Sequence, residues 1–169
     1  MKICSLDLSS KASGYAIIEN RTLIESGVVT ASGTDAIARI KKMSGQIASI
    51  LAKHKDIDVL VMEEVRPADD NGNRKNLHTH KILMYVQAAM VFLMHELYSN
   101  IQIEYLYPSE WRAECGIPNG RGIYREQQKQ MDIAFVKQLF NLDVSDDEAD
   151  AIGIGVAYAK KYDKQKGEV

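Results

Sequence analysis

Acidic side chains on three separated segments of this chain have the types and spacings of a metal-ion site. Near the C-terminus, SDDEADAIGIG puts Asp146, Asp147, Glu148 and Asp150 within five residues, directly before a run of small apolar side chains. Ser145 and Glu148 fit the S-x-x-E capping box that opens a helix, and acids in a first turn suit the positive end of its dipole. Helix capping is therefore one reading of Asp146, Asp147 and Glu148. Asp150 is different. It lies three residues beyond Asp147, so on a helix both carboxylates share a face, and the residues that follow, Ala151 to Ala157, suit close packing. A carboxylate held against a buried surface is costly unless it is paired or bound to a cation.

The partners of that pair come from earlier in the chain. Asp7 sits between Leu6 and Leu8 in KICSLDL, where a strand would carry an apolar or small residue. Glu63 ends the apolar run of VLVMEEV, and glutamate is disfavoured inside strands. Its neighbour Glu64 points to the opposite face, so one of the two can join Asp7. Asp7, Glu63, Asp147 and Asp150 then form a set of hard oxygen donors suited to Mg²⁺ or Mn²⁺. Two such ions, roughly 3.5–4 Å apart, stabilise both the attacking and the leaving oxygen of a phosphodiester displacement.

The elements that must carry these groups follow from periodicity. Residues 2–8, 14–19 and 22–30 read as three strands, with SSKAS as a tight connection and Gly27 as a candidate bulge. Ser32 or Thr34 is the expected cap of a helix over 35–54, with Ile37, Ile40, Met43, Ile47, Ile50 and Leu51 on its apolar face. The run 59–65 reads as a strand buried on both faces. A loop, RPADDNGNRKN, leads to a helix over 77–98, then a strand at 101–107 closed by Pro108. A polar stretch over 108–122 precedes a helix at 123–140, and the last helix begins at the acidic fragment. The pattern predicts one α/β domain over 1–169, a mixed sheet with helices on both faces.

Composition narrows the classes. Apolar residues make up 46% and charged residues 26%, as in ordinary soluble proteins, and no apolar run approaches the roughly 18–20 residues of a membrane span. MKICSLDLSS lacks the features of a signal peptide. Cys4 and Cys115 stand far apart and fit a reducing cytoplasm, which is the expected location. His78-x-His80 has no Cys or carboxylate at a spacing that completes a zinc site, and HExxH is absent. Gly153 and Gly155 fall inside a helix and form no dinucleotide fingerprint, so no nucleotide cofactor is expected.

The order Asp, Glu, Asp-x-x-Asp, carried by SLDLSSKASGYAII, VLVMEEV and DEADAIGIGVAY, resembles the RuvC-type Holliday junction resolvases, particularly their shorter phage-encoded branch, within the ribonuclease H-like superfamily. The similarity runs over nearly the whole chain. It implies a five-stranded mixed sheet with helices on both faces, a homodimer, and Asp7, Glu63, Asp147 and Asp150 as catalytic ligands of two Mg²⁺ ions, with Mn²⁺ as a substitute. It also implies cleavage of branched DNA, four-way junctions above all, by metal-activated water, leaving 5′-phosphates. Two departures stand out. Cellular members carry an aromatic residue three positions after the catalytic Glu, where this chain has Arg66. The family's late basic residue has no equivalent at matching spacing; Lys129 is the first choice and Arg125 the second.

A formal net charge of −2 argues against nucleic acid as a ligand, but four of the acids belong to the proposed site and two divalent ions would neutralise them. Basic residues gather in two regions that flank it. Arg66, Arg74 and Lys75, with Lys81, follow Glu63; Arg121, Arg125 and Lys129, with Arg112, come later. Arg66, Arg74, Lys75, Arg121, Arg125 and Lys129 are the expected DNA contacts, with Trp111 and Tyr124 as aromatic groups that could stack or pack beside them. In the helix over 77–98, Ile82, Val86, Ala89 and Leu93 form the stripe expected against the sheet, while Leu83, Met84, Val91 and Met94 carry apolar surface round to a second subunit. Three rivals remain. A ribonuclease H acting on RNA/DNA hybrids draws its third acid from well before the last helix. A sugar-kinase or actin-type nucleotide binder needs a second lobe. A non-catalytic junction-binding protein would not need four carboxylates.

Overall fold

In a computed structural model of the protein, the structure describes residues 1–65 and 74–167, with the side chains of residues 74–76 outside that description. Five strands, β1 (Lys2–Asp7), β2 (Ala12–Glu19), β3 (Thr22–Thr30), β4 (Val59–Glu63) and β5 (Gln102–Leu106), form one sheet in the order β3-β2-β1-β4-β5. The first three are antiparallel, and β4 and β5 add in parallel to β1. The helices are α1 (Ala36–Leu51), α2 (Arg74–Leu97), α3 (Pro108–Cys115), α4 (Arg125–Phe140) and α5 (Asp146–Lys166).

Strand alternation divides the core in two. Ile3, Ala16, Val59 and Val61 pack with α5 and with parts of α3 and α4. Cys4, Leu6, Leu60 and Met62 pack on the opposite face with α1 and α2. The chain therefore has the α/β layering that its sequence predicts, a mixed five-stranded sheet covered on both sides. Helix α5 is buried at Ala149 and from Ala151 through Ala159 because it lies between the sheet and the α3–α4 pair. A helix apolar on all sides needs such a central position.

Several local features differ from expectation. Asp35 caps α1, accepting from the amides of Ile37 and Ala38, in place of Ser32 or Thr34. Ile37 lies on the exposed side, and α1 buries Arg39, Ile40, Met43, Ile47 and Leu51. The irregular step in the β2–β3 pairing falls at Ile17 and Ile18, not at Gly27, which lies under the Tyr15 ring instead. Ser145 does cap α5, accepting from the Glu148 amide, but the Glu148 carboxylate turns away to accept from Ser26 Oγ at 2.7 Å. The stretch read as a polar loop holds α3, whose start is fixed by Pro108 and by Glu110 accepting from the Tyr107 amide.

On α2, Val86, Gln87, Met90 and Met94 are buried, with Met90 and Met94 packed against Leu60 and Met62, while Ile82, Ala89 and Leu93 are only half-buried. The buried stripe is rotated from the expected one, and Met94 belongs to the core. Among the described residues no helix is long and apolar enough to cross a membrane.

Candidate active site

Asp7 and Glu63 end two neighbouring parallel strands. Each lies one residue beyond the Leu6–Met62 pair of the β1–β4 register, so both stand at the carboxyl edge of the sheet. Alternation turns both toward α5, since Ser5 and Val61, two residues earlier, already face it. Glu64 follows the last residue of β4, and its charge acts on Tyr105 of β5. Such carboxyl-edge positions are where ligands collect in sheets of this kind. Asp147 arrives from above: its carbonyl rests on Gly14, the residue paired with Asp7 in the β1–β2 register. Asp150 follows one turn along α5.

The electrostatics show how closely these groups share space. The Asp7 carboxyl is pushed up from an ordinary 3.8 to about 7, first by burial and then by the charges of Glu63 and Asp147, against the pull of Arg112. Asp150 is raised well above the usual carboxylate range by burial, and then by Asp7 and Asp132, with Arg112 opposing and Glu63 adding to the rise. Glu63 is raised by burial, against a hydrogen bond from Trp111. Asp147 is raised by burial and by Asp146, with Lys129 and Arg125 opposing. Among the described residues no three His, Cys, Asp or Glu side chains close into a ready-made metal cage. The four acids form an open set around Asp7, and Asp150 Oδ1 is buried with no hydrogen-bond partner. An all-oxygen donor set with mutual repulsion and an orphaned buried oxygen fits hard divalent cations.

The basic residues fall into three groups. Lys129 pairs with Asp146 Oδ2 at 2.7 Å, and both Lys129 and Arg125 act on Asp147, so the two choices for a late basic residue lie together at the start of α5. Arg121 is exposed in the loop before α4. Arg66, Arg74 and Lys75 lie outside the described side chains. Two residues of the later basic region face inward. Trp111 is fully buried and cannot stack on a base; its indole N–H donates to Glu63 Oε2 at 3.1 Å. Arg112 points inward, pairing with Asp132 and standing 3.6 Å from Asp150 Oδ2. Tyr124 is exposed.

Sequence reasoning missed Asp132, which reads as an ordinary polar residue of an amphipathic helix, and Arg39. Arg39 donates to the carbonyls of Ser10, Gly33 and Thr34 and to Ser10 Oγ, fastening the loop after Asp7 to the start of α1. A buried arginine four residues after a helix cap carries no pattern that marks it in advance.

The Gly14–Asp147 approach gives a direct test. A Cβ at position 14 would lie 1.8 Å from the Asp147 carbonyl oxygen, so Gly14→Ala must drive α5 away from β2. Overpacking of this kind costs about 1–3 kcal/mol. Thermal unfolding should show that loss. An unchanged melting temperature would contradict the close approach.

No protein-family model matches the chain, and no curated protein matches it by sequence. Solved structures do. Thermus thermophilus RuvC in complex with a Holliday junction substrate superposes with a TM-score of 0.73 at 14% identity, covering 99% of this chain and 97% of that one. A second Thermus thermophilus RuvC structure gives 0.69 at 15% identity, with the same coverage of both chains. The yeast mitochondrial Holliday junction resolvase Ydc2 gives 0.59 at 16% identity, covering 98% and 80%. Over nearly its whole length, this chain has the ribonuclease H-like fold of the RuvC-type Holliday junction resolvases.

Proposed function

We propose that this chain is a divalent-metal-dependent, structure-selective endonuclease that cuts branched DNA, four-way junctions above all, as a homodimer. The observation that carries the reading is the convergence on Asp7 of carboxylates from β1, β4 and α5, with Asp150 Oδ1 left buried and unpartnered. The fold shared with junction resolvases, one of them bound to its substrate, supports the choice of DNA form.

In this reading Asp7, Glu63, Asp147 and Asp150 hold two Mg²⁺ ions, and Mn²⁺ serves as a substitute. When bound, the ions supply Lewis-acid stabilisation of the attacking and leaving oxygens in phosphodiester hydrolysis. The residues around them do the rest. Asp7 and Glu63 are fixed by adjacent strands, so their spacing is set by the sheet and not by a loop. Lys129 and Arg125 sit at the entrance and attract the phosphate backbone, as does Arg121. Hydrolysis leaves 5′-phosphates.

Incubation with labelled four-way, Y-shaped, hybrid and linear substrates should give Mg²⁺-dependent cutting of the branched DNA forms. Ca²⁺ should support binding with little cleavage, because its longer, looser coordination fills the site without the compact geometry. Preferential cutting of the RNA/DNA hybrid would favour a ribonuclease H activity, and junction binding without cutting in any metal would favour a scaffold.

Two nicks on opposing strands need two sites related by a two-fold axis. The outer face of α2 supports such a pairing: Phe92 is 73% exposed and Met84 46%, with Leu77 and Tyr85 beside them. Charge on that face, Met84→Glu with Phe92→Glu, should give folded monomers in sedimentation that nick junctions singly instead of in pairs. A variant that remains dimeric would remove α2 from the interface.

A further inference from the structure

Helix α3 lies next to the acids yet contributes none of them. Its two central residues each reach a different carboxylate of the set. Trp111 is enclosed, with its six-membered ring pressed against Gly153 of α5, where a Cβ would come within 2.6 Å. That seat aims the indole N–H at Glu63 Oε2, 3.1 Å away. Arg112 lies with its guanidinium 4.3 Å from the centre of the same indole. Its Nε donates to both oxygens of Asp132, at 3.2 and 3.1 Å, and Nη2 donates to Asp132 Oδ2 at 2.9 Å. Gln128 Nε2 completes the set at 3.2 Å from Asp132 Oδ1. The same Nη2 stands 3.6 Å from Asp150 Oδ2, an ion pair too long for a hydrogen bond.

We propose that Trp111 and Arg112 are positioning residues for the metal-facing carboxylates, Trp111 orienting Glu63 and Arg112 orienting Asp150 from its clamp on Asp132. This rests on the nuclease reading of the site. The geometry separates it from a plain tie between α3 and α4. A tie needs only Arg112 and Asp132, which is 1% exposed and requires a partner. It does not need the indole N–H to end on Glu63, or the guanidinium edge to turn toward Asp150. With Oδ2 facing Arg112, the Asp150 side chain presents Oδ1 as its free oxygen. Lysine cannot replace this arrangement, because one ammonium lacks the planar fork that holds two carboxylates at fixed angles.

The test is Mn²⁺ binding to the DNA-free protein, followed by calorimetry, with folding followed by circular dichroism. Trp111→Phe keeps the ring and removes the donor; Arg112→Lys keeps the charge and removes the fork. The double variant Arg112→Gln/Asp132→Asn removes both charges and leaves an amide pair, which protects against misfolding through a lone buried carboxylate. Each should fold and bind Mn²⁺ about ten- to a hundredfold more weakly, the usual loss when a partner of a ligand is removed. Arg112→Lys should add little to the loss already caused by Asp150→Asn, because the two act through one contact. Folded variants with Mn²⁺ affinity within about twofold of the unmodified protein would overturn the proposal, since outer partners that orient ligands cost more than that. Failure of all three to fold would also overturn it and assign the contacts to stability alone. An unmodified protein that binds no Mn²⁺ would overturn the nuclease reading itself, a result visible in the control before any variant is compared.

Discussion

Replacing Asp7, Glu63, Asp147 or Asp150 by its amide is expected to abolish junction cleavage while leaving junction binding intact. The loss should be roughly three orders of magnitude or more, since a Lewis-acid centre supplies several kcal/mol to the transition state and each ~1.4 kcal/mol is tenfold in rate. Binding should hold or tighten, because negative charge beside phosphates has been removed. Glu64→Gln is the matched control. Alternation assigns its side chain to the opposite face and its charge acts on Tyr105, so it should retain most activity. Gel-shift and cleavage assays on the same four-way junction separate the two effects. An inactive Glu64→Gln beside an active Glu63→Gln would reverse the assignment of faces in β4.

Stability should depend on pH and metal together, with metal stabilising most at neutral to alkaline pH. In the metal-free fold the Asp7 carboxyl is raised from an ordinary 3.8 to about 7. Between these values the folded state holds a proton that the unfolded chain releases. Its stabilising contribution is therefore complete below about pH 4 and lost as pH rises through about 7. Asp150, raised in the same direction, extends the loss further upward. Mg²⁺ binds the deprotonated carboxylates, so it should restore stability where the protons have gone. At a hundred times its dissociation constant a ligand contributes about 2.7 kcal/mol, a rise of roughly 5–10 °C for a domain of this size. Thermal melts with Mg²⁺ or EDTA should differ by that order at pH 8 and by much less at pH 5. Asp150→Asn should melt above the unmodified protein in EDTA at pH 8, because a buried acid that folding must hold protonated is gone, and should lose the Mg²⁺ increment. Equal metal increments at both pH values would count against carboxylates as the binding groups.

The proposed dimer seam and the proposed DNA contacts lie on surfaces of different kinds. The outer side of α2 exposes Met84, Tyr85 and Phe92 among Lys81 and His95, whereas Arg125 and Lys129 set positive charge at the start of α5 and Arg121 is exposed in the loop before α4. The overall charge of −2 hides this division, because the acids of the site and the bases of its rim nearly cancel in the sum. Local arrangement outweighs the total for a polyanionic ligand.

The sequence by itself determined which residues meet at the sheet edge, because strand and helix periods are local properties. Alternation assigned Glu63 and Glu64 to opposite faces, and the three-residue step placed Asp147 and Asp150 on one side of a helix. The order of strands and helices was legible for the same reason, apart from α3, whose eight residues are too few for a 3.6-residue period to show. The rotated stripe on α2 was also beyond reach, since apolar residues lie all round that helix and only the sheet decides which side is inside. Tertiary structure alone decided what Trp111, Arg112 and Asp132 do. Their types and spacing suit an exposed basic loop and a solvated helix as well as they suit a buried clamp. Only the packing of α3 and α4 against Gly153 and the rest of α5 turns an indole toward Glu63 and a guanidinium between two aspartates, contacts that join positions 63, 111, 112, 132 and 150 and leave no trace in any local pattern.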